Sequence, residues 1–197
     1  MPLKAKFATT SADDDAGLKT RLVKAARHLL EHDGFEALSL RAAAREAGVS
    51  HMAPYRHFKD KDELLAAVAE QGFRAMTRYM DRTAKGRGAS RAVGVAYVSF
   101  ALENPALYRL MFGANLAPRE RFPGLVEAGA EAFQRCLAAS AAKTPRIRAG
   151  EEMPRSAIAL WSVVHGLTSL VIDGLVTLPP SGRAREAQIA AILREVR

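Results

Sequence analysis

Residues 38–65 read LSLRAAAREAGVSHMAPYRHFKDKDELL. Ser39 is a side chain suited to capping a helix N-terminus, and Leu40, Ala43, Ala44 and Ala47 behind it fall on one helical face. Gly48 stops that helix. Only Val49 separates it from Ser50, a second capping residue, and a brief helix is predicted from His51 to about His57. Asp60, with Glu63 three residues on, has the spacing of a capping box and opens a longer helix through Leu64, Leu65, Val68, Ala75, Met76 and Tyr79. Two short helices on a tight glycine-centred turn, followed by a longer one, describe a helix-turn-helix over residues 39–58. Ala44 permits close helix crossing, and Gly48 takes the left-handed turn. A plain helical hairpin has the same spacing, since Ala and Gly are common here.

Working outward, residues 1–14 are polar and without periodicity, and are expected to form a flexible tail. Leu18, Leu22, Ala25, Ala26, Leu29 and Leu30 define a first helix that Gly34 ends. Beyond the central stretch, a basic loop at residues 85–88 precedes a helix from about Ala89 to Glu103. Asn104-Pro105 starts a short helix that Gly113 closes. Pro123 opens another, through Val126, Ala130, Phe133 and Leu137. Residues 143–152 form a polar connection. Pro154 then starts the most apolar helix, to about Val176, with Pro179-Pro180 ending it. It carries two adjacent seams, Ile158-Trp161-His165-Thr168-Ile172-Leu175 and Ala157-Leu160-Val164-Leu167-Val171. Two seams imply a wide buried arc with more than one partner. A last helix holds Ile189, Ile192, Leu193 and Val196. The expectation is an all-α fold of about nine helices: an N-terminal three-helix domain and a second helical domain.

Composition agrees. The chain has 197 residues, 49% apolar and 25% charged, rich in Ala, with aromatics at only 7%. That bias favours helix over sheet. A single cysteine, Cys136, excludes an internal disulfide and a CxxC motif, and reads as a small core residue. The N-terminus has no signal-peptide core, and no run of about 18 apolar residues stands out, so no membrane span is expected and the default compartment is the cytoplasm. The net charge is +8. Residues 39–61 carry five basic and two acidic groups, residues 74–91 six and one, and the remainder roughly cancels. Clustered positive charge points to a polyanion, either nucleic acid or an acidic membrane surface.

The central stretch, through Ala44, Gly48-Val49-Ser50, Tyr55, His57-Phe58, Lys61 and Leu64, resembles the DNA-binding domain of the TetR/AcrR family of bacterial regulators, over residues 18–70. The segment Tyr97, Asn104-Pro105-Ala106-Leu107-Tyr108, Met111-Phe112 and Trp161 to Gly166 is similar to the Trp-His-Gly type of TetR-family C-terminal domain. The resemblance implies a tail at 1–14, a DNA-binding domain at 15–76 and a ligand-binding and dimerisation domain at 77–197. Carried over by position, it implies that His51 and Met52 meet bases, with Ala53 close by. Arg41 reaches a base or a phosphate. Ser39, Ser50, Tyr55, His57 and Lys61 are implied phosphate anchors, and Phe58 is core. Three positions depart from the family pattern. Ala43 stands where Ile or Leu is common, Leu40 where Thr is common, and Pro54 where Leu is common. Pro54 deletes one early backbone hydrogen bond, so a tight but intact recognition helix is expected.

In the second domain, Met76, Tyr97, Phe100, Met111, Phe133, Trp161 and His165 suit a pocket for a small hydrophobic ligand, with His165 or Tyr97 as polar handle. The same residues are also ordinary core. An enzyme reading finds little purchase: no Walker loop, GxGxxG or HExxH occurs. His28 and His32 are i, i+4 without further ligands, and Ser162, His165 and Asp173 share one apolar helix with no nucleophile elbow. No catalytic residue, cofactor or metal is expected. The expected partners are double-stranded DNA with a palindromic operator, a small-molecule effector and a second copy of the chain. The function expected is a transcriptional regulator, a repressor released by its ligand. The alternative is a small-molecule-binding helical protein that has lost operator recognition.

Overall fold

The computed structural model describes residues 10–83, 89–116, 118–138 and 155–195. Among them are eight α-helices and no strand: α1 (Thr10–His32), α2 (Leu40–Glu46), α3 (Lys61–Thr83), α4 (Ala89–Glu103), α5 (Pro105–Phe112), α6 (Pro123–Ala138), α7 (Arg155–Ile172) and α8 (Gly182–Glu195). Three short 3₁₀ turns join them, at Ala53–Arg56, Ala114–Leu116 and Arg119–Arg121. The difference from nine lies after Ser50, where a 3₁₀ turn replaces the expected recognition α-helix. The basic loop, the polar connection at 143–152, Pro154 and Val196 lie outside the described residues, as do residues 1–9 of the expected tail. Residues 10–14, also assigned to that tail, are the first turns of α1.

The chain divides into two compact units, Met1–Val68 and Ala69–Arg197, so the division falls inside α3. In the first unit, α1 packs on α2. Leu22, Ala25, Ala26, Leu29 and Leu30 of α1 are buried, as are Leu40, Ala42, Ala43 and Ala44 of α2 and Leu64 and Leu65 of α3. Burying each large aliphatic side chain contributes roughly 1.5–3 kcal/mol.

In the second unit α4 is the central helix, in contact with α5, α6, α7 and α8. Its Val93, Ala96, Tyr97 and Phe100 are buried. Gly72 of α3 sits against α5 so closely that a Cβ there would lie 2.7 Å from Met111 Sδ and 3.1 Å from Leu107 Cδ1. Cys136 is buried beside Met80, and burial pushes its thiol up to about 12.

Asn104 stands where α5 begins, but its side-chain amide donates to the Phe100 carbonyl at 2.8 Å, so it closes α4. The helix α7 ends at Ile172 and not near Val176. Gly174 adopts φ +75°, and the Gly174 and Leu175 amides donate to the Val171 and Leu170 carbonyls. This is the pattern of a Schellman cap, and the two prolines lie beyond it. Of the two α7 seams, Ala157, Val164 and Leu167 are buried, as is Thr168, whose hydroxyl donates to the Val164 carbonyl at 2.7 Å. Ile158, Leu170 and, just past the helix, Leu175 stay exposed. By length and composition alone α7 could cross a membrane, with mean hydropathy 1.4 over 18 residues, a test that the core helix of a soluble protein also passes. Its Ser, Thr, His and Gly residues interrupt the apolar run, and Arg155 is its one charge.

Candidate functional site

The candidate nucleic-acid interface is built from α2 and the turn that follows. The Ser39 Oγ accepts from the Ala42 amide at 3.1 Å, which starts α2. Arg21 of α1 donates to the Ala47 carbonyl at 2.8 Å, which fastens the other end. Gly48, at φ +66°, donates to the Arg45 carbonyl, and Val49 to that of Ala44. The two bonds form a Schellman cap that turns the chain sharply.

The proline then decides the local geometry. An α-helix starting at Ser50 needs an amide at position 54 to donate to the Ser50 carbonyl, and Pro54 has none. The Ala53 amide takes that carbonyl instead, at 3.0 Å, in a tighter 3₁₀ bond. Tyr55 likewise donates to Met52, and His57 and Phe58 both donate to Pro54. The recognition segment is therefore a 3₁₀ turn over Ala53–Arg56, capped by Met52 and not by the Ser50 side chain. Pro54 itself is buried, and Phe58 is buried in the core beneath.

The turn's outer face is open. Met52 is 60% and Tyr55 45% exposed. Ser39, Arg41, Ser50 and His51 are also exposed, Ala53 and Lys61 half-buried. Lys61 Nζ lies 4.6 Å above the centre of the Phe35 ring, which holds it at the start of α3. The Glu63 amide donates to Asp60, while Glu63 in return accepts from the Lys59 amide, so the capping box reaches one residue further back than its simplest form. His57 is drawn inward. Its side chain is only 7% exposed, and Nε2 lies 3.4 Å from Asp15 Oδ1 of α1, a carboxylate that Arg56 also meets at 3.1 Å. Nothing local in the sequence ties Asp15, an acid in α1, to residues some forty positions away. The expected anchors thus fall into three exposed residues, Ser39, Ser50 and Tyr55, the half-buried Lys61, and His57, which is tucked against an acid.

The second unit brings Tyr97, Phe133, Trp161 and His165 together, and adds Tyr108 and Phe112 of α5. Phe112 stacks against the rings of Tyr108, Trp161 and His165 at 4.7, 6.0 and 4.9 Å. The polar atoms are linked. Trp161 Nε1 donates to Tyr97 Oη at 3.3 Å, the Tyr97 and Tyr108 hydroxyls are 3.0 Å apart, and Tyr108 lies 2.6 Å from His165 Nδ1. Burial raises both tyrosines well above the usual phenol range and lowers His165. Met76, Phe100 and Met111 are placed elsewhere, in packed core at 4% exposure or less. Phe133 and Trp161 border a hollow of about 40 Å³ between α4, α6 and α7. A larger cleft, of about 350 Å³, lies between α5 and the C-terminal half of α7, with Tyr108, Phe112, His165 and Ile172 on its walls and Arg109 and Asp173 in ion-paired contact at its side. Tyr108, Arg109 and Phe112 share one face of α5 by their i, i+1, i+4 spacing, a signal the sequence carries but that also fits ordinary core packing.

His28 and His32 stack at 4.1 Å. The first pairs with Glu46, while His32 Nδ1 lies 3.0 Å from the His28 carbonyl.

Comparison with known families accords with this geometry. The sequence model of the tetR family of bacterial regulatory proteins matches residues 22–68, the helix-turn-helix unit. That of the tetracyclin repressor-like C-terminal domain matches residues 90–194. The chain belongs to the TetR family of DNA-binding transcriptional regulators. A Rhodococcus sp. RHA1 protein of unknown function has a similar structure at TM-score 0.68 and 32% identity, over 98% of this chain and 99% of that one. A TetR transcriptional regulator from the same organism is similar in fold at TM-score 0.63 and 22% identity, over 93% and 97% of the two chains. So is NalD of Pseudomonas aeruginosa, the secondary repressor of the MexAB-OprM multidrug efflux pump, at TM-score 0.59 and 20% identity, over 93% and 95%.

Proposed function

We propose that this chain is a homodimeric cytoplasmic repressor that binds a palindromic operator through the major groove and leaves it when a small hydrophobic ligand enters the second unit. The observation that carries the DNA reading is the exposure of Met52 and Tyr55 beside His51 and Arg41, on a turn whose inner face is buried. A large apolar side chain left open near an arginine fits a surface that meets a partner. His51, Met52 and Arg41, with Ala53 near them, are assigned to base edges. Ser39, Ser50, Tyr55 and Lys61 are assigned to phosphates, which position without specifying, whereas His57, expected among them, turns in on Asp15 and is left out of the set. The open apolar side chains of α7, Ile158 and Leu170, support a second copy packing there. A helix shared by both units, α3, supports a coupling in which ligand and DNA favour different dimer geometries, typically worth ~1–3 kcal/mol.

Fluorescence anisotropy with promoter-proximal duplex DNA, over a salt series, tests this. Lys61→Ala is expected to weaken binding to all sequences alike and lower the salt slope by about one unit. His51→Ala and Arg41→Ala are expected to relax preference at particular base pairs, by ~1–3 kcal/mol each for a good contact. Absence of any salt-dependent binding by the ligand-free protein would reject the reading in favour of a ligand-binding protein without an operator.

A further inference from the structure

The polar network of the second unit has a direction. The indole of Trp161 can only donate, and it donates to Tyr97 Oη at 3.3 Å. Tyr97 Oη lies 3.0 Å from the Tyr108 hydroxyl and 3.4 Å from His165 Nδ1, and Tyr108 lies 2.6 Å from the same nitrogen, so the arrangement in which every proton finds an acceptor has a tyrosine hydroxyl donating to Nδ1. A neutral imidazole that accepts at Nδ1 carries its proton on Nε2. Burial, which lowers His165 and raises both tyrosines, keeps all three groups in these neutral forms near pH 7. No protein partner of Nε2 is found among the described residues, and His165 borders the 350 Å³ cleft. Phe112, the Tyr108 ring and Ile172 give the cleft its apolar surface, and Ser169 and Gly113 complete the wall. Its one cation is already engaged, because Arg109 pairs with Asp173 at 3.1 Å and donates to the Ile172 carbonyl at 3.0 Å. The pair carries no net charge to attract an ionised ligand.

We propose that this cleft binds an uncharged apolar compound with a carbonyl acceptor (a ketone, ester or amide) that takes the Nε2–H of His165. The proposal rests on the ligand-responsive reading above and specifies its ligand. With Nδ1 accepting from a tyrosine hydroxyl the His165 proton sits on Nε2, and Tyr108, at 2.6 Å, is the positioning residue for that ring. The apolar surface selects the body of the ligand, and the closed Arg109–Asp173 pair disfavours a carboxylate.

Trp161 is the only tryptophan, and its ring lies 5.3 Å from that of His165, so its fluorescence reports on the site without DNA. The probes are 2-nonanone, nonane and nonanoate, matched in chain length. The ketone is expected to shift the Trp161 emission and to bind at least tenfold more tightly than the other two. His165→Leu is expected to remove the preference of ketone over alkane, and Tyr108→Phe to reduce it while the alkane affinity stays the same. Ser169→Phe, from a half-buried wall position outside the network, is expected to block all three probes while the protein keeps its wild-type circular dichroism. Nonane binding as tightly as the ketone, nonanoate binding tightest, no binding of any probe, or a ketone preference that survives His165→Leu would each overturn the assignment. Ketone binding that leaves the DNA complex intact would uphold this site and reject ligand release. DNA release without any response from Trp161 to the ketone would do the reverse.

Discussion

Gly48→Ala isolates the backbone contribution to the turn of the DNA-binding unit. Gly48 holds φ +66°, and a Cβ built there meets no heavy atom within 4 Å. The substitution therefore creates no clash, and its cost is conformational alone. Placing an L-residue in the left-handed region costs roughly 1–2 kcal/mol. Removing a glycine from the unfolded chain offsets about 0.4–1 kcal/mol of that. The net loss is about 1 kcal/mol, which moves a urea midpoint by roughly 0.3–1 M at unchanged slope. Asn tolerates the left-handed region better and is expected to lose less, whereas Val, branched at Cβ, is expected to lose more. Urea unfolding followed by far-UV circular dichroism gives the order Gly, Asn, Ala, Val from most to least stable. The two cap bonds, from Gly48 and Val49 to Arg45 and Ala44, set the angle at which the chain leaves α2. DNA affinity is expected to fall in the same order. An Ala variant as stable as the parent, or a Val variant more stable than the Ala one, would refute a left-handed residue at this turn.

Three further outcomes are expected. Gly72→Ala puts a methyl 2.7 Å from Met111 Sδ and 3.1 Å from Leu107 Cδ1; overpacking of about 1–2 kcal/mol, less about 0.5–1 kcal/mol of helix propensity, leaves a net destabilisation below about 1.5 kcal/mol, which thermal unfolding measures. Gly166→Ala meets nothing within 4 Å inside the protomer, so it should stabilise the isolated chain by about 0.5–1 kcal/mol through helix propensity; sedimentation should show weaker self-association, and unchanged self-association would move the dimer contact off this part of α7. Because burial lowers His165, the unfolded chain takes up that proton first, so stability falls as pH drops below about 6.5; urea midpoints at neutral and mildly acid pH should show this in the parent and less of it in His165→Gln.

The sequence by itself determined the helices whose ends are marked by local chemistry. Pro123 and the Ala89–Glu103 pattern define α6 and α4 because a proline that presets φ and an apolar face at helical spacing act within a few residues. Ser39 and Gly48 likewise mark the two ends of α2, and the residues through Lys61 carried the family resemblance. What the structure decided was a choice among local alternatives at two turns and, beyond that, partners far apart in the chain. The missing amide of Pro54 was visible in the sequence, but whether the segment stayed an α-helix depended on which neighbouring amide took the Ser50 carbonyl, and the Ala53 amide did so in a 3₁₀ turn. The early end of α7 required Gly174 to adopt φ +75°, a choice open to any glycine. Asp15 met His57 and Arg56 only once α1 had packed on α2. The Trp161–Tyr97–Tyr108–His165 network joins α4, α5 and α7 across up to 68 positions of sequence. No periodicity records such a network, since the same aromatic residues at the same spacing serve equally well as unlinked core. Only the packing of the three helices sets the order of donors and leaves the cleft beside it.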